Sequence, residues 1–325
     1  MTSQELPLAP RAVPAPRSAA YSRALGRFAW GYWAYLVSVI LFGAWVRISG
    51  SGAGCGNHWP SCHGEWVPRA PAIETLIEFA HRATSGLLGI ATLILLLWVV
   101  RALPARHPAR FAAWLTMALV LLEAAIGAGI VRGELVANDT SVARAVIVAL
   151  HLVNTLGLTA AAGLLAHWVS VPEARPWHTG LPRRDWFTLS LGLVFVAVSM
   201  AGAVTALGDT LFPVQPTTGD GLFAHLKQDL SASAHFLVRL RIVHPIAACL
   251  LSLGLLALAF EHHASRDSRV ARLAKQVTFL TWLQIGAGVI NILLGAPGWL
   301  QLVHLLLSQL LWLAFVLLTE ARWAR

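Results

Sequence analysis

Charge is what this sequence has least of. Asp, Glu, Lys and Arg together make up 12% of 325 residues, where a soluble domain carries about 25%. That scarcity excludes a chain whose main solvent is water. Acid is scarcer than base, 15 against 24, for a net charge of +9. The basic residues lie in short loops between apolar stretches and not on one face, which excludes a nucleic-acid partner. Cysteine appears only three times. Cys249 sits in a long apolar run and reads as a buried small hydrophobe, whereas Cys55 and Cys62 share a polar loop. The first 26 residues are rich in Pro, Ala and Arg and have no apolar core. They read as a disordered cytoplasmic tail and not as a cleavable signal peptide.

Apolar residues are what the chain has in excess, at 57%. A membrane-spanning helix needs about 20 mostly apolar residues. Eight stretches meet that need, at 27–47, 76–100, 111–131, 145–169, 187–207, 237–260, 273–294 and 299–319. The last two are divided by Gly295-Ala296-Pro297-Gly298, which stops one helix and starts the next. Orientation follows from loop Lys and Arg. Arg11, Arg17, Arg23, Arg27, Arg101, Arg106, Arg110, Arg175, Arg183, Arg184, Arg266, Arg269, Arg272, Lys275, Arg322 and Arg325 all fall on one side. The other side has mainly Arg69, Arg132, Arg144 and Lys227. Both termini are therefore expected in the cytoplasm of a multi-pass plasma-membrane protein, with the long loops 48–75 and 208–236 outside.

The two halves resemble each other. Gly43-Ala44 recurs as Gly202-Ala203, and Ile126-Gly127-Ala128-Gly129 as Ile285-Gly286-Ala287-Gly288. His81 matches His244 and His151 matches His304, each pair about 160 residues apart. One glycine match is weak, because small residues are common in packed membrane helices; four matches in the same order are strong. Each half has four spans, so the repeats share an orientation and relate by an axis along the membrane normal. The expected fold is all-α and integral to the membrane: eight transmembrane helices in two tandem pseudo-symmetric four-helix bundles, 27–170 and 171–325.

Most of the 13 histidines lie in loops or at helix ends. His81, His151, His244 and His304 differ, each entering an even-numbered helix from the outer side to a depth of roughly 10 Å. An ionisable residue inside a membrane helix is by default a functional hypothesis. Four at matched depth, duplicated with the repeat, point to metal ligation, since imidazole binds iron, copper and zinc well. Each half offers two histidines and no nearby Cys or carboxylate cluster to complete four-coordinate zinc. A haem held by histidines from facing helices fits better. Its propionates need cations, and Arg47, Arg82, Arg239 and Arg241 are the arginines that depart from the positive-inside pattern. Snorkelling to headgroups is the competing explanation for each of them.

The halves also diverge. Three residues before His81 stands Glu78, and three before His244 stands Arg241. An i, i+3 pair shares a helix face, so one ligand has a carboxylate neighbour and the other a cation. Glu78 can relay protons or stabilise cationic character on a substrate, or it can be a first-turn carboxylate favoured by the helix dipole. Glu123 is a further intramembrane carboxylate, read as an interhelical hydrogen-bonding group.

Taken together, these residues resemble the haem A synthase family. The matching elements are Arg47-Ile48-Ser49-Gly50-Ser51-Gly52 running into Cys55, Trp59-Pro60 and Cys62; Glu78-Phe79-Ala80-His81-Arg82; His151; Arg241-Ile242-Val243-His244-Pro245; and His304. The resemblance covers about residues 25 to 320 and falls among the cysteine-containing members. It implies oxidation of the C8 methyl group of haem O to a formyl group, by successive hydroxylations to a geminal diol that loses water, in support of cytochrome oxidase assembly. It further implies that His244 and His304 ligate the iron of a resident haem b, that His81 and His151 flank the substrate haem, and that Glu78 takes part in catalysis. Arg82, Arg239 and Arg241 would bind the propionates. Cys55 and Cys62 face an oxidising compartment, and a disulfide there would be either a structural staple or a redox element. Membrane lipid, haem O synthase, an electron donor and a second copy of the chain are the partners such an enzyme allows. A bis-histidine cytochrome that only transfers electrons and a haem transporter are the competing classes.

Overall fold

The computed structural model describes residues 19–69, 71–171, 185–213, 229–231 and 233–323. The expectations placed on Arg11, Arg17, Arg175, Arg183, Arg184, Lys227 and Arg325 fall outside these. Eight helices are long and apolar enough to cross a membrane. They are α1 (Ala19–Ile48), α2 (Ile73–Ala102), α3 (Pro108–Arg132), α4 (Val142–Ser170), α5 (Trp186–Leu211), α6 (Val243–His262), α7 (Ser268–Leu293) and α8 (Gly298–Trp323). Among the described residues there is no strand, only one isolated bridge between Cys62 and Glu65.

Four of the helix starts have a side-chain cap. The Ser141 side chain accepts from Arg144 N, Asp185 from Thr188 N, and Asp267 from Arg269 N and Val270 N. These caps satisfy backbone donors that a helix N-terminus leaves free. At α3 the His107 ring takes that role ahead of Pro108, and burial lowers the His107 pKa, in keeping with a neutral ring that accepts a hydrogen bond. The tight α7–α8 turn runs through Gly295 at φ 72° and Ala296 at φ 57°.

Two boundaries depart from expectation. Helix α1 begins at Ala19, inside the stretch expected to be a disordered tail, because Ala19-Ala20 and their neighbours continue the helix past the apolar run. The sixth span is not one smooth helix. A helical turn at Phe236–Arg239 passes through a 3-10 turn at Leu240–Ile242 before α6 starts. Pro245 lacks an N–H and its ring crowds the carbonyl four residues back, at Arg241, so the backbone tightens there.

Buried apolar side chains collect in two main clusters. The larger joins α1 to α4 through residues such as Leu36, Leu95, Val99, Ala112 and Leu165. The other joins α5 to α8 through Phe195, Leu255, Val277 and Leu318, and takes in Leu156 of α4. Indole donors tie the central helices together: Trp33 Nε1 to Thr159 O at 3.2 Å, and Trp312 Nε1 to Leu156 O at 2.9 Å. Of the eight spans α4 is the most buried, and α3 and α7 are the least. The outward faces carry Phe111, Trp114, Leu121, Phe279 and Trp282, as helices against hydrocarbon do. Cys249 corrects an expectation here. It is exposed on α6, facing outward and not into the core. An apolar run does not say which side looks into lipid, because lipid is as apolar as the interior.

Candidate haem-ligating site

Three of the four intramembrane histidines are set by close helix contacts. A Cβ on Gly43 of α1 would lie 3.0 Å from His81 Cε1, and one on Gly202 of α5 would lie 2.8 Å from His244 Cε1. The repeated glycines thus leave room for the repeated imidazoles. Phe42 stands edge-on to His81 at 5.6 Å between ring centroids. A Cβ on Gly288 of α7 would lie 3.2 Å from His304 Cε1, whereas one on Gly129, its counterpart in α3, would meet nothing within 4 Å. The halves therefore share a plan but differ in detail.

In the second half the His244 and His304 rings face each other with centroids 6.4 Å apart and planes at 88°. Two metal–imidazole bonds of about 2 Å, plus the distance from each nitrogen to its ring centre, sum to roughly 6 Å. The spacing therefore suits one metal held between two imidazoles. His244 Nδ1 lies 3.1 Å from Val198 O. An Nδ1–H given to that carbonyl leaves Nε2 with its lone pair, the usual way a ligating histidine is oriented. His304 Nε2 lies 3.1 Å from Gln284 Nε2, and His304 Nδ1 is buried without a partner.

In the first half the Nδ1 atoms of His81 and of His151 are each buried without a hydrogen bond. His151 Nε2 is 3.5 Å from Glu123 Oε1. Orphaned buried imidazole nitrogens are costly, so a ligand for these rings fits the donor set. Among the described residues no group of three or more His, Cys, Asp or Glu could hold a bare metal ion.

Above the first-half histidines, the 49–69 loop clamps onto the start of α2. Cys55 and Cys62 form a disulfide with Cα atoms 4.5 Å apart. Glu78, buried in α2, accepts from Cys55 N at 2.8 Å and pairs with Arg82. Arg82 also donates to His58 O at 2.7 Å and Ser61 O at 2.6 Å. Thr75 Oγ1 donates to Gly54 O at 2.6 Å. Gly54 permits this approach, since a Cβ there would sit 2.4 Å from the Glu74 backbone. Glu78 therefore links the disulfide loop to the helix that carries His81.

The second-half counterpart is built around Arg241. It meets Asp209 at 2.8 Å and Asp229 at 3.6 Å, and donates to Gly208 O at 2.9 Å and to Phe212 O. Arg47 of α1 crosses to the other half, donating to Ala206 O at 2.6 Å and to Gln301 Oε1 at 3.1 Å. Arg239 is exposed. A propionate reaching Arg82 or Arg241 would compete with these protein acceptors, and one reaching Arg239 would not.

Three features of the site have no role that the sequence alone assigns. Asp209 partners Arg241, Gln284 faces His304, and Asn154 with Thr155 holds Glu123. Each is a polar residue inside an apolar run, which is the signal that singles it out.

A membrane protein of eight spans, with half-buried histidines inside its helices, is the class these features define. Residues 26–316 match the model of the cytochrome oxidase assembly protein family, COX15-CtaA, and the chain belongs to that family. A protein of Thermus thermophilus named protoheme IX farnesyltransferase is 44% identical over 309 residues, which cover 94% of this chain and 49% of that protein. Heme A synthases of Exiguobacterium sibiricum and Alkalihalophilus pseudofirmus are 40% and 43% identical over 96 and 93 residues. These stretches cover 30% and 29% of this chain, and 32% and 31% of those proteins. The chain spans about half the length of the Thermus relative.

Proposed function

We propose that the chain is a haem A synthase, an oxidoreductase that converts the C8 methyl group of haem O to a formyl group for cytochrome oxidase assembly. The observation that carries this reading is the pairing of two histidine sites of one plan with different polar surroundings. The chain's family and its similarity to heme A synthases support it.

In this reading the two halves are repeated four-helix bundles, 27–170 and 171–325. His244 and His304 hold a resident haem b, with Val198 O fixing the His244 ring. A haem b there supplies reversible one-electron transfer. His81 and His151 flank haem O in the first half. Glu78 is the acid–base group: its carboxylate is fixed between Cys55 N–H and Arg82, so it can take or return a proton at its oxygens without reorienting. Two successive hydroxylations, each a two-electron oxidation that replaces a C–H by C–OH at the expense of an external oxidant, would take the methyl carbon to a geminal diol, and loss of water would leave the aldehyde. Exposed Arg239 would bind a propionate at the loop side directly, and Arg82 and Arg241 would do so by exchanging their protein acceptors for it.

The Thermus relatives are named for farnesylation of protohaem IX, and this chain covers about half of them. That supports a farnesylating enzyme as the partner that hands over haem O. The membrane is the plasma membrane, with both termini in the cytoplasm.

The test is expression in cells that make haem O but no haem A. Haem A should appear in extracted membranes, and should fall at least about 100-fold with Glu78→Ala, as loss of an acid–base group predicts. Normal haem A from the Glu78→Ala chain would remove Glu78 from the mechanism. No haem A from the unaltered chain would remove the synthase reading.

A further inference from the structure

Three of the four histidines have a polar neighbour at the ring, and the neighbours differ. His244 gives Nδ1 to a backbone carbonyl and His304 faces a side-chain amide, both neutral. His151 faces a carboxylate, that of Glu123 on α3, at 3.5 Å. This carboxylate is itself held in place. Asn154 Nδ2 donates to Glu123 Oε2 and to Leu119 O, and Thr155 Oγ1 donates to Glu123 Oε1 at 2.6 Å. Both donors are buried and both follow His151 on α4. The other half has none of this apparatus. In the repeat, Trp282 stands at the position of Glu123, and Leu307 and Ser308 stand at those of Asn154 and Thr155.

From this we propose that Glu123 is a positioning residue for His151, one that makes the first-half iron site electron-rich relative to the second. The inference rests on the reading of the first half as a haem site. A carboxylate beside a ligating imidazole fixes the ring and raises its basicity. Its negative charge also stabilises ferric over ferrous iron. An electron-rich axial ligand is one of the levers that direct a haem toward oxygen chemistry and away from simple electron transfer. The second half, with neutral partners on both rings, lacks that lever. Glu123 thus divides the labour of the halves at the ligand itself, independently of Glu78 in the loop-side clamp.

The test is anaerobic spectroelectrochemistry of the full chain, purified in detergent and loaded with haem O. The couple that disappears in His81→Ala is assigned to the first half, and the one that disappears in His244→Ala to the second. Glu123→Gln keeps shape and removes charge. It should raise the first-half midpoint by a tenfold change in the ferric-to-ferrous binding ratio, about 59 mV for one electron, and leave the second-half midpoint in place. Glu123→Asp keeps the charge and should stay near the unaltered chain. An unmoved first-half midpoint in Glu123→Gln, equal shifts at both haems, or the same shift in Glu123→Asp would each overturn the proposal. A first-half haem lost in Glu123→Gln but retained in Glu123→Asp would support the positioning role through rescue by the conservative variant; loss in both would overturn it. If the unaltered chain takes up no haem O in its first half, the functional reading fails, and the inference fails with it.

Discussion

In the first half two carboxylates lie by the histidines: Glu78, three residues before His81 on α2 and tied to the loop, and Glu123, across from His151. In the second half the neighbours are a carbonyl, an amide and an arginine locked between two aspartates. The glycine–histidine packing that places His81 and His244 is nearly the same in both. On the proposed reading, a duplicated frame keeps its ligands and changes its chemistry by exchanging the polar groups beside them. Such partners fix the orientation and basicity of a ligand without touching the metal.

The largest expected effect that would break this comparison is at the second-half pair. His244→Ala should strip most of the resident haem b, read as haem absorbance per protein, while His81→Ala should leave it. Equal losses from the two variants would make the halves equivalent. A smaller effect is expected from glycine. In Gly202→Ala the new Cβ meets a ring held by Val198, so resident haem should bind more weakly, by about 1–3 kcal/mol for an overpacked contact. Gly129→Ala meets open space and should leave that haem in place. Next comes the disulfide. Cys62→Ser should lower thermal stability by about 2 kcal/mol and loosen Glu78, whose partner is Cys55 N, without releasing resident haem. Loss of that haem in Cys62→Ser would show that the halves are not independent.

The smallest effect lies at the far end of the molecule, at the Asp185 cap. Burial alone would raise its pKa. Hydrogen bonds from Trp323 and Thr188, with the Arg322 charge, outweigh burial and leave the pKa below the ordinary Asp value. A carboxyl depressed on folding contributes stability above its unfolded pKa, and loses it as pH falls through the folded value. Melting temperature followed into acid should therefore fall less steeply for Asp185→Asn than for the unaltered chain. Parallel curves would show that the cap carries no such linkage.

The eight spans and the four histidines are readable from the sequence, because long apolar runs and ionisable residues inside them are strong signals in one dimension. So are the glycine repeats that receive three of the rings. Contacts between distant segments are not readable. Nothing local ties Glu78 to Cys55 N, Arg241 to Asp209, or Arg47 to α5 and α8. Glu123 illustrates the limit. Its role as an interhelical hydrogen-bonding group can be read, and it does accept from Asn154 and Thr155. That the same carboxylate faces His151 depends on how α3 rotates against α4. Cys249 fails for the same kind of reason, since helix rotation decides which apolar residues meet lipid. The break before α6 is in principle visible at Pro245.

The central claim is that the halves hold different haems for different purposes. Its most direct test is extraction of haems from the purified chain and from His304→Ala, both made in cells containing haem O, with identification by chromatography and mass. The account predicts haem B together with haem A or a hydroxylated haem O from the unaltered chain. From His304→Ala it predicts loss of haem B with haem O or its derivatives retained. Haem B alone from the unaltered chain, with haem O present in the cells, would contradict it and leave an electron-transfer cytochrome.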